Sequence, residues 1–377
     1  MRLYVLSGEA SGDLHAANLV RALQRRQQDL VVRAWGGDQL RQVGAEVVKD
    51  YRELAFMGFV EVVAHLRTIL RNLRFCKEDI RRWQPDAVLL VDYPGFNLRI
   101  APYAKACGIP VIYYISPQVW AWKASRVKKI RRYVDLMLTI LPFETDFYAR
   151  YQYPVTYVGH PLLDVLDALE PDAKLRAQFS GDQPLVALIP GSRKQEIARM
   201  LPVMLEAARL NPQYQYAIAA APGIDPYFYQ PYLKDQTIPV VHGKTRMLMQ
   251  WAQGALVTSG TATLETALSE TPEVVCYRGG PLGYWIARQL VQVPYISLVN
   301  LILEEEAVPE LIQGDLNPNN LSIHLRKMME PGPYRETMLQ KMRHLKDRLG
   351  AQGASDRAAQ AILHFHRTGE MSPSVLA

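Results

Sequence analysis

The chain has 377 residues, with 43 Lys+Arg against 37 Asp+Glu (formal net charge +6), 49% hydrophobic and 21% charged. That composition suits two or three globular domains and excludes a disordered, collagenous or coiled-coil chain. The positive excess is local: Lys123, Arg126, Lys128, Lys129, Arg131 and Arg132 fall within ten positions, and the other 37 basic residues equal the 37 acids.

In chain order, an apolar run at 3–7 ends in a Gly/Ser loop before a helix over 14–25. A strand at 30–34 ends at Gly36-Gly37, and a long helix covers 60–83. Then come strand 87–91, helix 98–107, strand 111–115, helix 124–133 and strand 136–140. A second series follows Gly159-His160-Pro161 and an acidic stretch at 164–172. It reads as strand 185–189, helix 196–210, strands 216–220 and 239–241, helix 246–251, strand 255–258, helix 262–269 and strand 273–276. Helices at 319–329, 334–349 and 356–367 close the chain, and the tail after Thr368 reads as disordered. Short apolar strands alternating with helices predict parallel sheets covered on both faces. The expected architecture is two doubly wound α/β domains with a cleft between them.

Other features narrow the class. Cys76, Cys107 and Cys276 are odd in number and far apart, so neither a disulfide framework nor a CxxC metal site is expected. A reducing, cytoplasmic compartment fits. The apolar start is too short for a signal-peptide core. The longest uncharged run, 106–122, carries Pro110, Pro117 and Gln118 and reads as strand plus loop. A soluble or peripheral protein is expected.

Ligands of open parallel sheets bind beyond the carboxyl ends of the strands, and four loops lie there. The first, Ser7-Gly8-Glu9-Ala10-Ser11-Gly12-Asp13, is neither GxGxxG nor a Walker loop, yet Glu9, Ser11 and Asp13 exceed what a turn needs. His15, just beyond it, is a candidate for phosphate binding. The second, Asp92-Tyr93-Pro94-Gly95-Phe96-Asn97, puts a carboxylate at a strand's end, where it could accept a proton from an attacking hydroxyl or simply cap a helix. The third, Pro190-Gly191-Ser192-Arg193, resembles an anion site, with free amides at a helix start and a cation, though Ser192 could be a plain cap. In the fourth, Gly260 and Thr261 can present amides to a phosphate and Glu265 can accept from ribose hydroxyls, or simply face solvent. Two anion-binding turns in one domain and a carboxylate in the other point to glycosyl transfer from a nucleotide sugar. No DxD is present to hold a metal on the diphosphate, so helix ends and Arg193 are expected to stabilise the leaving group. No metal and no cofactor are expected. His160 reads as a hinge or substrate contact, or more simply as a structural hydrogen bond.

Those loops, together with Met57-Gly58-Phe59-Val60-Glu61-Val62, Ser116-Pro117-Gln118-Val119-Trp120-Ala121-Trp122, Leu141-Pro142-Phe143-Glu144 and Val158-Gly159-His160-Pro161, resemble the lipid-A-disaccharide synthases in order and over nearly the whole chain. The resemblance implies a GT-B fold and inverting, metal-independent transfer. The implied donor is UDP-2,3-diacylglucosamine and the acceptor 2,3-diacylglucosamine 1-phosphate (lipid X). It places the catalytic base on Asp92 and donor contacts on Arg193, Glu265 and Asn300; the loops themselves add Glu9, Ser11, Asp13, His15 and Asn97 as acceptor-side candidates and Ser192, Gly260 and Thr261 as donor-side candidates. The resemblance further implies an acceptor and membrane-facing domain at 1–160 and a UDP-sugar domain at 161–330. Helices at 331–368 would pack back on an N-terminal domain or be exchanged within a homodimer, leaving a tail at 369–377. Two departures stand out. Gly95 replaces a second Asp of the family, and Asn300-Leu301-Ile302-Leu303-Glu304-Glu305 carries acids where the family has Gly-Arg. Arg278 or Lys244 could substitute for that cation. Among enzymes, the alternatives are the peptidoglycan lipid-intermediate transferase and the UDP-N-acetylglucosamine 2-epimerase.

Substrates bearing acyl chains imply a membrane surface. The 60–83 helix is amphipathic, with Arg67, Arg71, Arg74, Lys77 and Arg81 at helical spacing. Trp120, Trp122, Lys123, Arg126, Lys128, Lys129 and Arg132 form a second candidate for docking on the anionic inner leaflet. The plain reading is a solvated charged face beside core tryptophans. Nucleic-acid binding is disfavoured, because the excess charge is small and no groove-reading motif is present.

Overall fold

The computed structural model describes residues 1–53, 66–122, 124–166, 172–179, 181–234, 236–280 and 293–371, with Trp122 and Leu166 as backbone only. The Met57–Val62 motif, Lys123 and the start of the 60–83 helix lie outside the described residues. The chain forms two compact units, Val165–Gly350 and Met1–Asp164, the latter joined by the segment from Ala351 onward.

In the first unit, β1 (Arg2–Ser7), β2 (Val31–Gly36), β3 (Glu46–Asp50), β4 (Ala87–Val91), β5 (Val111–Tyr114), β6 (Leu136–Thr139) and β7 (Thr156–Tyr157) form one sheet. Its order is β3-β2-β1-β4-β5-β6-β7 and every pairing is parallel. The second holds β8 (Leu185–Ile189), β9 (Gln215–Ala220), β10 (Val240–His242), β11 (Gly254–Thr258), β12 (Glu273–Tyr277) and β13 (Glu310–Ile312). They run parallel in the order β10-β9-β8-β11-β12-β13. Each sheet winds outward in both directions, reversing between β1 and β4 and between β8 and β11. At such a switch point neighbouring loops diverge and leave a crevice for ligands. The four loops picked out in the sequence follow β1, β4, β8 and β11.

The central strands are apolar throughout because helices cover both faces. Every residue of β4 and β8 is buried. Helix Leu66–Trp83 is fastened to the first sheet by Asp79, which accepts from the Tyr4 hydroxyl (2.7 Å) and from Arg33 (2.8 and 2.9 Å). Three edge strands, β3, β7 and β13, and helix Leu298–Leu303 were not expected from sequence.

The C-terminal helices are divided, which differs from the expected 331–368 segment. Helix Pro333–Leu349 belongs to the second unit and ends at Gly350 (φ +79°). Helix Ala354–Thr368 packs on helix Ala10–Gln24 of the first. Asp164 caps it, accepting from the amides of Gly353 (2.6 Å), Ala354 (3.3 Å) and Ser355 (3.0 Å). Arg357 donates to the carbonyls of Val158, Gln352 and Ala351 at 2.7–2.8 Å. A side chain at Gly159 (φ +84°) would collide with that guanidinium. Among the described residues no helix is long and apolar enough to cross a membrane.

Candidate functional site

At the end of β4 the chain adopts two consecutive left-handed residues, Asp92 (φ +45°) and Tyr93 (φ +49°). Such backbone is costly for residues other than glycine and persists only where its surroundings hold it. The Asp92 amide donates to Tyr114 O (3.1 Å), while its carbonyl accepts from Asn97 Nδ2 (2.7 Å) and from the Tyr113 hydroxyl (2.6 Å). Asn97 Nδ2 also lies near Leu6 O (3.4 Å) and Val91 O (3.3 Å), tying together the ends of β1 and β4. The Tyr93 ring stacks on Phe96 (5.8 Å) and lies against Gly8, where any Cβ would collide with it. The first two loops therefore meet, and glycine at position 8 permits it.

This closure sets the chemistry of Asp92. Its half-buried carboxyl is pushed up to about 6 by desolvation and by the charge of Glu9, against the opposing pull of the Tyr93 amide. Ser11 is exposed in the first turn of helix Ala10–Gln24. Asp13 has a different role: its buried carboxylate accepts from the amides of Gly37 (2.7 Å), Gln39 (3.0 Å) and Leu40 (3.3 Å), capping helix Asp38–Gln42. His15 is buried near His160, whose Nδ1 accepts from the Leu162 amide (3.2 Å). Burial and His15 push His160 down to about 3, so it is neutral.

In the second unit the two expected anion turns differ. Gly191 (φ +113°) turns the chain after β8, and the Ser192 (3.0 Å) and Arg193 (3.2 Å) amides donate to Glu196 Oε2. Arg193 Nη1 donates to Glu196 Oε1 (2.9 Å). These groups are thus held by an internal carboxylate rather than free: Glu196, in the first turn of helix Lys194–Arg209, reaches back to the N-cap amide. After β11, Gly260 and Thr261 are exposed at the start of helix Thr261–Leu268. Glu265, one turn in, pairs with Arg246 (3.0 Å).

Asn300 is fully occupied within the fold. Its Nδ2 donates to Val308 O (2.9 Å) and Glu310 Oε1 (2.8 Å), and its Oδ1 accepts from the Ala307 (2.8 Å) and Val308 (3.0 Å) amides. Glu304 (φ +60°) ends helix Leu298–Leu303. Arg348 holds it at 3.6 Å, and Lys341 holds Glu305 at 2.9 Å. The acids that stand in place of the family's Gly-Arg are therefore tied to helix Pro333–Leu349. Arg278 donates to Leu316 O, and Lys244 pairs with Asp172 at 3.7 Å.

Trp120 donates its indole N–H to Glu144 Oε1 (3.3 Å) and sets its ring edge-on to Phe143 (4.9 Å). Glu144 is buried, accepts from the Ile140 (3.2 Å) and Leu141 (3.0 Å) amides, and is pushed up to about 7 by burial. Lys128, Lys129 and Arg132 are exposed, and Arg126 is half-buried. Sequence reasoning missed Tyr113, Glu196 and Arg246, and gave no role to Tyr93 and Glu144 within the motifs that contain them. The one readable signal was Glu196, three residues after Arg193 at the start of a helix.

The family profile described as lipid-A-disaccharide synthetase matches residues 3–365. A lipid-A-disaccharide synthase of Myxococcus xanthus (strain DK1622) is 40% identical, with 98% of this chain and 99% of that one covered. One from Nitrosococcus oceani is 39% identical, covering 98% of each. Among solved structures, S. aureus MnaA with UDP superposes with a TM-score of 0.69 at 13% identity, covering 99% of both chains. A putative UDP-N-acetylglucosamine 2-epimerase from Listeria monocytogenes gives 0.68 at 14%, covering 99% of this chain and 98% of that one. Those structural likenesses speak to the GT-B fold alone. The profile runs almost end to end and full-length relatives share two residues in five, so the chain belongs to the lipid-A-disaccharide synthetase family of glycosyltransferases.

Proposed function

We propose that the chain transfers 2,3-diacylglucosamine from UDP-2,3-diacylglucosamine to the 6-hydroxyl of 2,3-diacylglucosamine 1-phosphate, releasing UDP and the β-1,6-linked tetraacyl disaccharide 1-phosphate. The observation that carries this reading is Asp92, a carboxyl held at a switch point and raised toward neutrality. Ionised, it accepts the proton of the acceptor hydroxyl as that oxygen attacks the anomeric carbon. The bond from that carbon to the diphosphate oxygen breaks on the opposite face, inverting the centre. Charge on the departing UDP falls to Arg193, the Ser192 amide and the exposed start of helix Thr261–Leu268. For this the diphosphate displaces the Glu196 carboxylate from the Ser192 and Arg193 amides. Glu265 accepts from the ribose hydroxyls.

The acceptor is assigned to the first unit, with Glu9, Ser11 and His15 beside it, and the donor to the second. The protein docks on the inner leaflet as a peripheral homodimer. Support for docking comes from helix Leu66–Trp83, where Leu66 (49%), Leu70 (55%) and Phe75 (42%) are exposed among arginines. The test is UDP release with both diacylated substrates. Asp92→Asn is expected to lose about 10²–10⁴-fold in kcat, the usual contribution of a positioned base. Full activity in that variant would remove the base, and no UDP release from the unaltered protein would remove the assignment.

A further inference from the structure

Arg99, Arg126 and Lys129 lie on, or at the start of, two helices of the first unit that pack together. Arg99 lies in the second turn of helix Pro94–Ala106, which starts two residues after Asp92. Arg126 precedes helix Val127–Tyr133, and Lys129 follows one turn later. The two helices follow adjacent strands, β4 and β5, and pack together. Val127 and Ile130 are buried in the same cluster as Phe96, Leu98 and Ile100. The three cations are close enough that partial burial, then Arg99 and Arg126, push the Lys129 ammonium below its usual range. The Arg126 charge also reaches the Tyr113 hydroxyl, which donates to the Asp92 carbonyl (2.6 Å). The helix that carries Arg99 starts beside Asp92, which sets the cluster on the element leading away from the proposed base.

Nearby, Arg131 donates to Tyr151 O (3.2 Å), and Arg132 lies over the Tyr133 ring (5.3 Å). Among the described residues of this unit, no ion pair involves Arg99 or Lys129. Like charges gathered by the fold repel one another, and an anion binding among them relieves that repulsion. A phosphomonoester carries nearly two negative charges and three acceptor oxygens, suited to forked guanidinium donors and an ammonium.

We propose that Arg99, Arg126 and Lys129 bind the phosphomonoester of the sugar acceptor and so present its hydroxyl to Asp92. This rests on the acceptor reading given above. It gives part of the basic stretch a substrate to hold, distinct from the phosphodiesters of a bilayer.

The test compares the diacylglucosamine acceptor with and without its 1-phosphate, in mixed detergent micelles so that vesicle docking does not limit the rate. In the unaltered protein the phosphate is expected to lower acceptor KM. In Arg99→Ala and Lys129→Ala, KM for the phosphorylated acceptor is expected to rise about tenfold, the scale of one lost charge-assisted hydrogen bond. Donor KM and turnover of the dephosphorylated acceptor should stay unchanged. Arg131→Ala, which removes the same charge nearby, should keep the preference for phosphate. Equal losses with both acceptors would overturn the inference, as would an unaltered protein indifferent to the phosphate. So would variants that keep the preference but lose binding to phosphatidylglycerol vesicles, since the cations would then be reading the bilayer. UDP release from neither acceptor would overturn the parent reading itself.

Discussion

Glu9 raises the pKa of Asp92, and that coupling sets a pH dependence. A general base works ionised, so kcat/KM should fall as pH drops through about 6, the value to which Asp92 is raised. Glu9→Gln removes one cause of the rise and should move that acid limb to lower pH. A limb that stays in place would show that burial alone holds it. The same shift has a stability consequence of opposite sense to its use. The folded-state pKa exceeds the ordinary 3.8, so Asp92 favours folding at low pH, and that contribution is lost as pH rises toward 6. Asp92→Asn should therefore melt higher than the unaltered protein at pH 8, and the gain should vanish below pH 4. The prominence of Asp92 was legible because it ends an apolar strand. Asp13 looked like a ligand contact because its loop is rich in polar residues, and Asn300 because of the family resemblance. Both hold backbone amides of their own chain, and such partners leave no mark in a sequence.

The central strands and the longer helices were readable because parallel sheets need unbroken apolar runs and their covering helices need one apolar face. The edges were not. β7 has two residues, β13 has three, and no residue of β3 is fully buried, so periodicity had nothing to act on. The switch points explain why the four loops stood out together: each follows a strand flanking a reversal in sheet order. The last helix shows how an element can depend on one distant side chain. Helix Ala354–Thr368 has no side-chain cap of its own beyond Gly353, and Asp164 takes three of its first amides. Asp164→Ala should cost about 1–2 kcal/mol, the upper range for a lost N-cap. Chemical denaturation checks this, with amide exchange expected to rise first in residues 354–358. An unchanged midpoint would mean that water satisfies those amides equally well.

Over the whole molecule the charge of +6 equals the content of one ten-residue stretch. The structure divides that stretch by role: Arg131 and Arg132 rest on tyrosines and Lys128 is exposed, while Trp120 just before it is anchored to Glu144. In the proposed docking, attraction to an anionic bilayer would depend on few charges, each worth about 1 kcal/mol near the surface and screened by salt. Helix Leu66–Trp83 adds a different component, because Leu66, Leu70 and Phe75 are exposed apolar groups whose burial in the interface does not weaken with salt. The two should separate in one titration. Binding to vesicles containing phosphatidylglycerol should fall as NaCl rises, then level off at a residual set by the apolar helix face. In a Lys128→Glu, Arg132→Glu variant the low-salt affinity should drop roughly tenfold or more while the high-salt residual persists. Pure phosphatidylcholine vesicles should show only the residual in both proteins. Binding that ignores both salt and lipid charge would leave the basic stretch without a part in docking, and the apolar helix face would carry it alone.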